Sequence, residues 1–373
     1  MSRKARPALR RVRPRTALIT AVAAVLGVCA LQPPATADPG VLPDGGKPTG
    51  ASVLSDKWTK PWSISFLPDG KRALVTERVS ASVWVQHRDG SKKKVGTVPH
   101  TVVPSPTVLS GSGGLLGVAP SPGWNGTTDQ DVFFVHTAAN DLRVVKMRFD
   151  GTSLSGYTVL VGGITRGGDH NGGRIAFGPD GYLYVTTGEA YQSKLAQDKG
   201  SLSGKILRLT RTGAAAPGNP FGTRVYSYGH RNPQGLAWDS RGRLWETEVG
   251  DSAWDELNLI EPGRNYGWPT CEGSCSKAGM TNPKRVWKPS EGGVPAQIAV
   301  SGDVLYVSTL RGQRLWAMPI DATGKDVGTA KAYYNGTYGR LRAIVKVPGA
   351  NRLWLGTSDR GEDKDLILEV TTD

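Results

Sequence analysis

His170 lies in a glycine-rich run, Arg166-Gly-Gly-Asp-His-Asn-Gly-Gly-Arg174, where an imidazole held between flexible residues is suited to act as a base. Cationic and amide groups suited to the same chemistry stand at His230-Arg231-Asn232, at Arg311, and at Arg340-Leu-Arg342. One base among several guanidinium groups suits an anionic ligand or cofactor, with a proton to be removed beside it. Taken singly, each has a plainer reading: a loop histidine satisfying a nearby carbonyl, an arginine in a structural salt bridge. Their common position against a repeating pattern weighs against that.

The pattern is clearest just after His170. Ile175 to Phe177, Gly178-Pro-Asp-Gly181 and Tyr182 to Thr186 read as strand, turn and strand, because Pro presets one turn angle and Gly accepts a positive one. Versions of this unit, most ending in Thr, Ser or His, run from Trp62 to Thr76, Gly114 to His136, Gln234 to Thr247, Ala296 to Ser308 and Arg342 to Thr357. Their starts recur roughly every 45 to 60 residues, a period suited to four-stranded blades. Further short strands, Ala81 to Gln86, Leu142 to Arg148, Lys205 to Leu209, Gln313 to Ile320 and Leu366 to Val370, fill the intervals. Helical periodicity is almost absent. The expected fold is therefore all-β: a six-bladed β-propeller with four-stranded blades, closed by pairing Ala51 to Leu54 with Leu366 to Val370 so that no free edge remains. In such a ring the loops entering the innermost strands meet around the axis, which brings His170, Arg231, Arg311, Arg340 and Arg342 to one pocket. Asn265 to Gly293 reads as a loop insertion over one face, and Trp238, Trp245, Trp316 and Trp354 as packing between blades.

Residues 1–37 read as an export signal, separate from the propeller of 38–373: seven basic residues, an apolar run from Ala17 to Leu31, and a small-x-small cleavage site at Ala35-Thr36-Ala37 before Asp38. Arg10-Arg11 leaves both export routes open. A freely secreted or periplasmic product is preferred to a lipoprotein anchored at Cys29, whose box is interrupted by Val28. Removal of the signal halves the net charge of +14 to +7. The remaining charge is dispersed, with Lys92-Lys93-Lys94 the one tight run, which argues against nucleic-acid binding. Cys271 and Cys275, exported to an oxidising compartment, are expected to form a disulfide. No glycine fingerprint opens a helix, so a nicotinamide dinucleotide site is not expected.

Four segments carry a family resemblance: Gly114-Leu-Leu-Gly117; Asp169-His-Asn-Gly-Gly-Arg174 with Gly178-Pro-Asp-Gly181; Gly229-His-Arg-Asn-Pro-Gln-Gly-Leu-Ala237; and Asp255-Glu-Leu-Asn-Leu-Ile260 with Asn265-Tyr-Gly-Trp-Pro269. The chain resembles the soluble sugar dehydrogenases that use pyrroloquinoline quinone, the glucose/sorbosone dehydrogenase family, over essentially its whole length after residue 37. The resemblance implies a six-bladed propeller and an oxidoreductase converting aldose sugars to lactones, with electrons passed to an external acceptor. It implies that His170 is the base at the anomeric hydroxyl and that Arg231 steadies the oxygen anion growing on the reduced cofactor. Asn232, Arg311, Arg340 and Arg342 would hold the cofactor, Arg311 standing where the family usually has lysine. Ser112 replaces a glutamine of the glucose oxidisers, and Glu189 an aspartate that orients the base; both are placed with the cofactor contacts. The cofactor's calcium would rest on Gly250 and Asp251, the latter in place of a frequent proline, and a second calcium on Glu256 and the backbone of Tyr266.

The alternative reading is a propeller that binds glycans or a partner without turnover, and a third is a calcium-dependent lactone hydrolase, since this fold hosts many functions. A base retained beside a cluster of cations favours the dehydrogenase. Monomer and homodimer are both compatible with the sequence.

Overall fold

The computed structural model describes residues 42–43, 46–103, 112–358 and 360–373. The expected export signal, with its expected cleavage site at Ala37/Asp38, and Cys29 lie outside the described residues. The first strand, β1 (Pro48–Trp58), is set aside until the ring is complete. Blade one is β2 (Pro61–Phe66), β3 (Arg72–Glu77), β4 (Ser82–His87) and β5 (Lys92–Thr97). Blade two is β6 (Leu115–Pro120), β7 (Asp131–Thr137), β8 (Leu142–Phe149) and β9 (Leu154–Ile164). Blade three is β10 (Gly172–Phe177), β11 (Leu183–Thr187), β12 (Lys205–Leu209) and β13 (Val225–Tyr228). Blade four is β14 (Pro233–Trp238), β15 (Leu244–Glu248), β16 (Asp255–Ile260) and β17 (Arg285–Trp287). Blade five is β18 (Pro295–Ser301), β19 (Val304–Thr309), β20 (Leu315–Pro319) and β21 (Lys331–Tyr333). In blade six, β22 (Leu341–Lys346), β23 (Arg352–Thr357) and β24 (Asp365–Thr372) are completed by β1, giving six four-stranded antiparallel sheets.

Closure follows the expected pairing, in a register that sets Ala51 opposite Val370 and Val53 opposite Leu368. The innermost strands β2, β6, β10, β14, β18 and β22 pack in succession around the axis. Cores form between blades, because each twisted sheet has two apolar faces and only a neighbour can cover them. Leu74 and Val83 of blade one meet Leu115 and Phe134 of blade two, and Trp245 of blade four meets Leu305 and Val307 of blade five. Trp354 of blade six is fully buried against Phe66 of blade one, ring centroids 4.5 Å apart. The stretch read as an insertion, Asn265 to Gly293, also supplies β17, the outer strand of blade four.

All six innermost strands carry an irregularity at the same end. The register shifts between Pro61 and Ser63, Leu115 and Val118, Gly172 and Ile175, Pro233 and Gly235, Pro295 and Ile298, and Leu341 and Ile344. A bulge frees backbone groups and re-aims side chains, so something must satisfy what it frees. The Thr and Ser that close the sequence repeat do this. Thr76 Oγ1 donates to Leu116 O at 2.6 Å, Thr247 Oγ1 to Ala296 O at 3.0 Å and Ser308 Oγ to Arg342 O at 2.6 Å, each reaching the next blade. Within its own blade, Thr186 Oγ1 accepts from Arg174 N at 2.9 Å.

Candidate active site

The bulged ends face one mouth of the ring, and there the structure has a cavity of about 380 Å³ on the axis. His170, Ser112, Asn232, Arg340 and Arg342 line it, as the sequence predicts. His170 takes a left-handed backbone, φ 54°, which a non-glycine residue adopts only when its surroundings impose it. The imposing element is the loop after β11. Ala190 N donates to His170 O at 3.1 Å, and Gly188 packs so close that a Cβ on it would stand 1.8 Å from that same oxygen. Only glycine fits there.

Glu189 stands behind the base and does not line the cavity, which corrects its placement among the cofactor contacts. Its Oε1 accepts a hydrogen bond from His170 Nδ1 at 2.6 Å and from Tyr191 N at 3.1 Å. The side chains of His170 and Glu189 are 11% and 3% exposed, so this is a buried carboxylate–imidazole pair. It fixes the ring and leaves Nε2 as the nitrogen available to a ligand. Tyr191 lies against the imidazole, ring centroids 4.2 Å apart, with most of its own surface open to solvent. Asn232 Oδ1 accepts from Gly172 N at 3.2 Å and from Gln234 Nε2 at 2.9 Å, which ties the wall of blade four to the bulge below His170. Ser112 Oγ accepts from Asn171 Nδ2 at 3.4 Å.

Two further expectations are corrected. Arg311 does not reach the cavity: Leu310 does, and Arg311, the next residue, is exposed in a separate hollow with Trp254, Lys288 and Pro289. Leu310 and Arg311 both lie in the bend that follows β19, Val304–Thr309, so position along the repeat alone does not fix which of them faces the axis. Arg231 stands beside the cavity without lining it in this structure. Its guanidinium donates to Val249 O at 3.2 Å, to Gly250 O and to Asp251 Oδ1 at 2.7 Å, and packs on Trp268. The expected calcium oxygens at Gly250 and Asp251 thus converge on one cation, and in this structure that cation is Arg231. Carbonyl and carboxylate oxygens also suit calcium, so the set fits the ion, provided that Arg231 moves aside.

Lys60 and Arg78 line the cavity and were not singled out in the sequence. Arg78 directly follows β3, close to where Arg311 follows β19, so applying the repeat rule to every blade would have found it. With Lys60, Arg78, Arg340 and Arg342 on its walls and Asp169 as its acidic residue, the cavity is basic. It is suited to an anion carrying several carboxylates.

A second cluster lies one layer outward. His230, Glu246 and Glu248 offer ligand atoms all within 4.8 Å of one another, and all three residues are buried. His230 Nδ1 is hydrogen-bonded to Glu248 Oε2 at 2.8 Å and Nε2 to Ser227 Oγ at 2.8 Å, and the ring stacks on Tyr266, so it belongs to this cluster and not to the cavity. Burial, with Glu248 adding to it, pushes the Glu246 carboxyl far above its ordinary range and that of Glu256 up to about 8. Among the described residues Glu246 Oε1 and Asn258 Oδ1 find no hydrogen-bond partner, and oxygens in that condition fit a divalent cation. Cys271 and Cys275 are joined, with Cα atoms 5.7 Å apart, at the edge of the same loop.

The glucose/sorbosone dehydrogenase profile matches residues 58–368. The structure of the PQQ-bound form of aldose sugar dehydrogenase from Streptomyces coelicolor shares 41% identity and a TM-score of 0.79, covering 88% of this chain and 100% of that one. Aldose sugar dehydrogenase YliI of Escherichia coli is 31% identical over 248 residues, 62% of this chain and 65% of that protein. Quinoprotein glucose dehydrogenase B of Acinetobacter calcoaceticus is 31% identical over 257 residues, 59% of this chain and 52% of that protein.

Proposed function

The chain belongs to the glucose/sorbosone dehydrogenase family of oxidoreductases, and from that premise we propose that it oxidises the anomeric carbon of aldose sugars to lactones with pyrroloquinoline quinone and calcium. The observation that carries this reading is the His170–Glu189 pair opening on a cavity walled by Lys60, Arg78, Arg340 and Arg342. Pyrroloquinoline quinone, when bound, supplies a two-electron acceptor for the hydride that leaves the anomeric carbon. The chain's own residues do the rest. Lys60, Arg78, Arg340 and Arg342 would hold its carboxylates through charge-assisted hydrogen bonds. His170 Nε2 takes the proton of the anomeric hydroxyl as the C–H bond breaks, and Glu189 stabilises the imidazolium that results. Asn232 fixes the cavity wall opposite. Calcium would rest on the oxygens of Gly250 and Asp251, which frees the Arg231 guanidinium toward the cavity. An external electron acceptor then returns the enzyme to its starting state.

The test is a titration of the purified, metal-stripped protein with pyrroloquinoline quinone and calcium, followed by absorbance, and then the addition of aldoses. Stoichiometric binding and bleaching of the oxidised quinone by sugar are expected. Absence of binding would overturn the proposal and leave a propeller that recognises glycans or a partner without turnover.

A further inference from the structure

The turn from Gly250 to Trp254, between β15 and β16, carries the two residues on which calcium would rest, and its backbone is held from outside. All five of its N–H groups go to carboxylates. Gly250 N donates to Asp255 Oδ1 at 3.0 Å. The next four, of Asp251, Ser252, Ala253 and Trp254, converge on Glu272 Oε1 at 2.6, 2.9, 3.0 and 3.0 Å. Backbone groups left free by a turn commonly bond within it or to water. Here a single oxygen 18 to 21 residues further along the chain gathers four of them. Gly250 packs under that carboxylate, where a Cβ would stand 2.8 Å from Glu272 Oε1 and 1.8 Å from Trp254 O.

Glu272 is itself anchored. It sits in the loop that the Cys271–Cys275 bridge closes. Cys271 N donates to Gly267 O at 3.0 Å, Gly273 N to Glu256 Oε1 at 2.7 Å and Cys275 N to Asn282 Oδ1 at 2.7 Å. Glu272 does not line the cavity, so what it does for a ligand there it does through the turn. The peptides of the turn are trans, and in a trans peptide the N–H of one residue points opposite to the C=O of the residue before it. By gathering the N–H groups of Asp251 and Ser252, Glu272 therefore turns the carbonyls of Gly250 and Asp251 away from itself. Gly250 O, so turned, accepts from the Arg231 guanidinium. A carboxylate bonded to the N–H end of a peptide also pushes electron density to its oxygen end, and hard cations favour such oxygens.

We propose, on the reading above that calcium rests on Gly250 and Asp251, that Glu272 is the positioning residue of this calcium site. Its place sets the direction of both carbonyls, and its charge strengthens them as ligands. Glutamine at this position keeps an oxygen for the four donors but not the charge. Serine at both Cys271 and Cys275 keeps the charge but frees the loop that carries it. The two contributions are thus separable.

The experiment titrates the purified full chain with calcium at a fixed concentration of pyrroloquinoline quinone, followed by quinone absorbance, and repeats the quinone titration in a chelator. Glu272→Gln should raise the half-saturating calcium concentration about tenfold, the scale of a weakened hydrogen bond to a charged group. Its quinone affinity in chelator should stay within about twofold of wild type, because the side chain does not line the cavity. The double variant Cys271→Ser with Cys275→Ser should shift the calcium requirement in the same direction, and it decides where thermal melts in chelator show that Glu272→Gln fails to fold. Half-saturating calcium equal to that of wild type, in the variant that decides, overturns the proposal. So does an equal loss of quinone affinity in chelator, which would make Glu272 a support of the whole pocket. A wild type that binds quinone no better in calcium than in chelator overturns the calcium reading itself, and the proposal with it, and is told apart from the other two failures because no variant is needed to see it.

Discussion

Replacing Glu189 by glutamine separates the charge of the carboxylate from its shape. The amide keeps an oxygen able to accept from His170 Nδ1 and Tyr191 N, the two donors that Glu189 Oε1 serves at 2.6 and 3.1 Å, so the imidazole keeps its place. What goes is the negative charge facing the imidazolium as the substrate proton arrives. A buried hydrogen bond to a charged group contributes about 1.5 to 3 kcal/mol, and each 1.36 kcal/mol is tenfold in rate. Glu189→Gln should therefore lower kcat by about 10- to 150-fold, with KM for the sugar and the affinity for quinone little changed, because the side chain does not line the cavity. Stopped-flow bleaching of the loaded enzyme by an aldose reads kcat, and absorbance titration reads cofactor affinity. Wild-type turnover would refute the argument. A variant that binds quinone poorly but turns over normally once loaded would return Glu189 to the cofactor contacts where the sequence first placed it.

Arg311→Ala should leave quinone affinity within about twofold of wild type, whereas Arg78→Ala should weaken it about 10- to 100-fold, the scale of a charged hydrogen bond; titration of the two variants side by side checks the correction made above. A pH dependence of stability follows from His136, which is fully buried with Nε2 on Tyr157 Oη at 2.8 Å and which burial holds down to about 4 from its ordinary 6.5. Between those values the unfolded chain binds the extra proton, so stability present above pH 6.5 falls by up to about 3 kcal/mol as pH drops toward 4. Urea melts across that window should show the loss in wild type and a flatter curve for His136→Gln.

The innermost strands were legible because they are buried on both faces and end at Pro, Asp and Gly turns. The outer strands were not, since they are short or sit on the rim with little apolar surface to bury: β17 and β21 have three residues each, and β5 opens on three lysines. β5 shows why: Lys92-Lys93-Lys94 reads as a solvated charge run, yet in the blade Lys92 Nζ donates to Asp56 O and Lys57 O at 2.7 Å and lies 3.8 Å above the Trp58 ring. The long lysine stem does the work of an apolar residue. In the site, position along the repeat correctly brought His170, Asn232, Arg340 and Arg342 to one cavity. Position cannot tell which way a side chain points, and for that reason Arg311 was placed at the cavity when it lies in a separate hollow, whereas Glu189 stands behind His170, where a carboxylate that orients the base was expected.

The seam between β1 and β24 sets the order in which this chain can finish folding. Lys47 N and the Asp373 carboxylate, bonded at 2.7 Å, are 326 residues apart, so the first of the described strands waits for the last of them. Until then five blades and part of a sixth stand as an open arc with two exposed edges, and closing them carries the largest loop-entropy cost in the molecule. A nascent chain cut short at any point is therefore never a smaller working ring. It is an arc with a ready template for pairing at each end, the kind of species that chaperones hold and proteases remove.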